Sequence, residues 1–149
     1  MTPGDTGDAA RVVAEARRWI GTPYRHQASL IGVGCDCLGL VRGVWRALVG
    51  PEPEEVPAYT PDWAEAGAGE PLLAAGKRHF VPLPAHAFDA GDVLVFRWRD
   101  NVAAKHLGIA TAPDRMVHAH DGARVCEVAL VPAWRRRIVA AFRFPPLPQ

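Results

Sequence analysis

Near residue 92 the apolar pattern of this 149-residue chain changes period, and that change limits the folds open to it. Upstream, Val12, Val13, Ala16, Trp19 and Ile20 recur at helical spacing, and Leu40, Val41, Val44, Trp45 and Leu48 do so again. Downstream, residues 92–98, 105–111, 115–120, 124–128 and 138–144 read as short strands divided by Pro-Asp and Asp-Gly turns. Helices followed by a run of antiparallel strands make an α+β plan. The first helix is expected from a cap at Asp8 to about Ile20, where Gly21-Thr22-Pro23 stops it. The second is expected from Cys37 to about Leu48, with Gly50-Pro51 as its stop. A short helix is expected around 63–75.

The length suits one domain, 1–149, with residues 51–84 as an elaborated surface connection too poor in large apolar residues for a core of its own. The formal net charge of +1 offers no global field for nucleic acid, and Arg135-Arg136-Arg137 reads as a solvated strand entrance. No apolar run approaches the roughly 20 residues of a membrane span. The first residues, MTPGDTGDAARVV, hold two acidic side chains and no apolar stretch, so synthesis in the cytoplasm without a secretory signal is expected.

The chemistry is concentrated in GCDCLGLVR, residues 34–42, which holds two of the three cysteines. An odd count with two cysteines so close argues against a disulfide scaffold, and a zinc site with Cys126 matches no common spacing. A cysteine that begins a helix lies where unpaired N–H groups and the positive end of the macrodipole converge, which is expected to favour thiolate. Such a nucleophile needs a base, and the base an orienting partner. The strand region offers His106 and His118 as candidates on neighbouring expected strands, with His120, two residues on, as a rival of His118, and geometry alone leaves this one arrangement among several. Cys35 reads as a small buried residue, Asp92 as part of a turn, and Trp45 and Trp98 as packing. Trp63 is undecided. His26, His79 and His86 read as exposed loop residues.

The runs Trp19-Ile-Gly-Thr-Pro-Tyr-Arg25, Asp36-Cys-Leu-Gly-Leu-Val41, Ala90-Gly-Asp-Val-Leu-Val-Phe96, His106-Leu-Gly-Ile109 and Met116-Val-His-Ala119, in that order, resemble the NlpC/P60 family of cysteine peptidases. The resemblance spans about 10–144. Leu38 and the Arg-Gly-Val-Trp at 42–45 are most similar to its phage-associated branch. It implies a papain-like core, a helix led by the cysteine and packed on an antiparallel sheet. It also implies catalytic Cys37, His106 and His118, with Tyr24 near the nucleophile and Asp36 holding a substrate amine. The implied substrate is a peptidoglycan stem peptide, cut at the γ-D-Glu–diamino acid bond without a metal or cofactor. The implied setting is the cell wall, reached on a phage tail or tail-like particle, with tail proteins as partners.

Two positions depart from the family pattern. Leu38 stands where members selective for a free N-terminal L-Ala carry Ser, and His26-Gln-Ala-Ser replaces a Gly-Gly after the tyrosine. Two other readings stay open: an N-acetylmuramoyl-L-alanine amidase or other thiol acyl hydrolase, and a non-catalytic tail-assembly protein.

Overall fold

A computed structural model describes residues 5–55 and 69–149. The elements run α1 (Asp5–Arg18), β1 (Ser29–Leu30), β2 (Gly34–Cys35), α2 (Cys37–Leu48), α3 (Pro71–His79), β3 (Val81–Leu83), β4 (Val93–Phe96), β5 (His106–Ala112), β6 (Arg115–His118), β7 (Cys126–Ala129), α4 (Pro132–Arg135) and β8 (Ile138–Arg143). The sheet order is β3-β8-β4-β5-β6-β7, every pairing antiparallel, and β1 and β2 form a separate hairpin. The architecture is the expected α+β papain-like one, with N-terminal helices beside an antiparallel sheet.

Strand alternation divides the sheet into two apolar faces. Val93, Val95, Leu107, Ile109 and Val117 pack with Val12, Ala16 and Trp19 of the first helical region and Leu40, Val41 and Val44 of α2. Leu94, Phe96, Ala110, Met116 and Ile138 form a second cluster, against which Trp134 of α4 packs. The two helices approach closely because residue 43 is glycine: a Cβ there would overlap the Trp19 indole.

Several boundaries differ from expectation. Helix α1 starts at Asp5, and Asp8 accepts from the Leu147 amide at 3.0 Å, so its carboxylate ties down the C-terminal segment. The predicted helix at 63–75 begins outside the described residues, as does Trp63, and α3 occupies 71–79. Pro132 begins a short helix, so Arg135 lies in α4 and donates to the carbonyls of Leu130 and Pro113. Asp92 is buried in a bidentate pair with Arg143, at 2.9 and 3.0 Å, and accepts the Asp89 amide as a turn residue should. His79 ends α3 beside Glu54, at 3.3 Å, whereas His86 is exposed. Among the described residues no helix is long and apolar enough to cross a membrane.

Candidate active site

Asp36 fixes the start of α2. Its backbone is extended (φ −102°, ψ −172°), as an N-cap requires, and Oδ1 accepts the Gly39 amide at 2.7 Å. Oδ2 accepts the Gln27 amide at 2.8 Å, and His26 Nδ1 lies 3.9 Å from the same oxygen. Gln27 has φ +67°, so the buried carboxylate holds a residue in a conformation that side-chain-bearing residues seldom adopt. Glycine at 39 is a steric necessity, because a Cβ would overlap the Ala28 carbonyl oxygen. The loop 26–29 and the first turn of α2 are therefore locked together, and Cys37 heads the helix at a fixed position.

The Cys37 thiol reaches β5. Sγ lies 3.7 Å from the Lys105 carbonyl oxygen, and a hydrogen bond from the Leu107 backbone reaches it from the other side of His106. Burial, together with the nearby Asp36 charge, pushes the thiol up to about 12, against the opposing pull of the Leu107, Leu38 and Cys37 amides. This corrects the expectation that the helix start yields a resting thiolate: desolvation and a neighbouring anion outweigh the helix-end amides here.

His106 pairs with Phe96 across β4 and β5 and so shares the second apolar face. His118 pairs with Gly108, which puts it one diagonal step from His106 on the same face. Nε2 of His106 lies 2.9 Å from Nδ1 of His118. Both imidazoles are almost wholly enclosed, at 4% and 3% exposure, and burial drives both to neutrality, His106 well below the usual range and His118 to about 4. His120 is exposed, with its ring 5.6 Å from that of His106. The ring hydrogen-bonded to His106 is that of His118.

Tyr24 bridges to Cys35 and packs on the helix-side core. Its phenol is pushed up to about 12, first by burial and then by its closeness to Cys37 and Asp36. Two backbone bonds clasp this region to the histidine strands: the Gly21 amide donates to Val125 and the Val125 amide to Thr22, each at 2.9 Å. Cys35 is fully buried, and Cys35, Cys37 and Cys126 are all free thiols.

Two residues at this site carried no functional signal in the sequence. The ring of Trp98 lies 5.2 Å from that of His106 with planes at 28°, and Trp134 lies 5.6 Å away at 26°. One follows β4 and the other sits in a short helix that only the structure reveals.

The structure brings His106 and His118 into direct contact and sets the Cys37 thiol against the backbone on either side of His106. Comparison with known proteins agrees in fold. The family model described as "NlpC/P60 family" matches residues 21–143. The chain is similar to the NlpC/p60 domain of the peptidoglycan hydrolase SagA, at 23% identity and TM-score 0.62, covering 91% of this chain and 98% of that one. It is also similar to an NlpC/P60 family protein from Bacillus cereus, at 18% identity and TM-score 0.65, covering 93% and 40%. A lipoprotein-like NLP/P60 family protein from Staphylococcus aureus matches at 20% identity and TM-score 0.62, covering 96% and 43%. The chain thus spans under half the length of the Bacillus and Staphylococcus proteins. No curated protein matches it in sequence.

Proposed function

This chain belongs to the NlpC/P60 family, and from that premise we propose that it is a cysteine peptidase of peptidoglycan stem peptides, acting at the γ-D-Glu–diamino acid bond. The observation that carries the reading is the Cys37 thiol at the head of α2, lying against the backbone that flanks His106, whose ring is tied to His118. We take residues 1–149 as one NlpC/P60-like domain.

With Nε2 of His106 engaged by His118, Nδ1 is the ring nitrogen left to serve as a base. That assigns the Nε2–H tautomer to His106, donating to the lone pair on His118 Nδ1. As sulfur attacks the γ-carbonyl carbon, its proton passes to Nδ1, so no resting ion pair is needed. The oxyanion forms near the Cys37 amide and the Tyr24 phenol. The C–N bond then breaks, the imidazolium protonates the departing amine, and a thioester remains. Water attacks the thioester, gives its proton to His106, and releases the carboxylic acid and the thiol. Asp36 sets the helix start from which the Cys37 amide and thiol are presented.

Leu38 follows the nucleophile, half-buried against the helix-side core, and has no group with which to bind an amine. It supports a substrate whose L-Ala amine is blocked, as in intact sacculi. With Arg42-Gly-Val-Trp45 it also supports placement in the phage-associated branch, delivered to the wall on a tail or tail-like particle.

The test is mass spectrometry of products from purified sacculi and from free stem tetrapeptide, with wild type beside Cys37→Ala. Cleavage between D-Glu and the diamino acid, lost in Cys37→Ala, is expected. Release of the whole stem from muramic acid would replace this reading with the amidase, and no product from either substrate would replace it with a non-catalytic tail-assembly role.

A further inference from the structure

Around His106 the second face of the sheet is built from rings. Phe96 lies 5.5 Å away on β4, Trp98 and Trp134 stack at 5.2 and 5.6 Å, and His118 and His120 close the remaining sides edge-on at 5.2 and 5.6 Å. The indoles also touch each other, with centroids 5.6 Å apart. We propose that Trp98 and Trp134 are positioning residues: their stacked faces fix the plane of the His106 imidazole and keep water from it, so that Nε2 stays on His118 and Nδ1 stays free. The proposal rests on the peptidase reading for its catalytic meaning, though not for its geometry.

The physical argument is one of missing restraints. An imidazole rotates about two side-chain bonds, and the single 2.9 Å bond to His118 constrains only the direction of Nε2. Tilt about that bond is left to packing, and two nearly parallel aromatic faces restrict it as edge contacts cannot. Both tryptophans are half-buried, so each stands between the ring and solvent. Burial is the leading cause of the low pKa of His106, followed by His118 and His120.

Other titratable and charged groups around the ring are few. Cys37 approaches the β5 backbone, Lys105 precedes the histidine in sequence, Arg97 is held by Glu70 at 2.6 Å, and Arg135 of α4 is spent on the Leu130 and Pro113 carbonyls. The tryptophans are thus the main control on how much water His106 meets.

The experiment titrates the His106 Cε1 proton by NMR in full-length Cys37→Ala protein, comparing it with Cys37→Ala combined with Trp98→Ala, Trp98→Phe or Trp134→Ala. Stacking by tryptophan predicts that Trp98→Ala raises the midpoint by about one pH unit or more as water enters, while Trp98→Phe restores most of the original value. The acid limb of kcat/KM in the Cys37-containing enzymes should move the same way. Folded Trp98→Ala and Trp134→Ala proteins with unmoved midpoints would overturn the proposal. A shifted midpoint in a protein whose wild type cuts nothing would support the ring geometry and sink the peptidase reading, so the two failures are distinct.

Discussion

His106 and His118 are not register partners, yet their rings are in hydrogen-bond contact. His118 stands opposite Gly108, whose missing side chain leaves the diagonal open, and the rings meet at 2.9 Å. His118→Ala should therefore lower kcat by roughly 10²–10⁴, the range seen when a base loses the partner that sets its tautomer. His120→Ala, which removes only a ring contact, should change kcat a few-fold at most. Steady-state kinetics on a soluble stem peptide separates the two, and equal losses would reverse the assignment.

The state of the thiol predicts a pH profile. With Cys37 held up to about 12 and His106 neutral, thiolate is scarce at neutral pH, so iodoacetamide labelling should keep rising through pH 9. A rate plateau below pH 7, followed by peptide mapping of Cys35, Cys37 and Cys126, would instead reveal a resting thiolate–imidazolium pair.

Gly39 sits against the Ala28 carbonyl, and backbone cannot move aside as a side-chain tip can. Gly39→Ala should cost about 2–4 kcal/mol in chemical denaturation. Asp36→Ala leaves the Gly39 and Gln27 amides without their acceptor and should cost roughly 1–3 kcal/mol.

Acid stability should depend on Glu127. Hydrogen bonds from Arg17 and Thr111 hold its carboxyl down to about 2 from 4.5. A depressed carboxyl stabilises the fold above its unfolded value and stops doing so as pH falls through the folded one. The difference in melting temperature between wild type and Glu127→Gln should be largest near neutrality and shrink between about pH 4.5 and 2, the interval those values define. Arg17 is half exposed, so added salt should reduce it too.

The sequence made the long elements legible because their apolar residues repeat often enough to set a period. Helix α2 spans the expected 37–48, β4, β6 and β8 fall within the expected strands, and β5 and β7 overrun theirs by one residue each, at Ala112 and Ala129. The hairpin β1–β2, the strand β3 and the helix α4 were not legible, being too short to show a period at all. Asp8 was misread as a cap because its partner, the Leu147 amide, lies at the far end of the chain. The meeting of His106 and His118 was legible from their places on neighbouring strands. Trp98 looked like ordinary packing, and Trp134 drew no reading, because stacking on an imidazole leaves no local pattern. The high pKa of the thiol was hidden for a related reason: the macrodipole can be read from a helix start, whereas desolvation depends on what folds over it.

The clasp between residues 21–22 and Val125 has a consequence for the order in which the site comes into being. On the ribosome, Cys37 emerges well ahead of the strand it will lie on, since its contact at Lys105 is 68 residues further along. The strands that carry both imidazoles, and the loop that joins them to the thiol half, are all synthesised later. A nascent chain therefore displays Cys37 before either His106 or His118 exists. The contact of the thiol with the Lys105 carbonyl and the bond between the two imidazoles thus belong to the finished molecule alone.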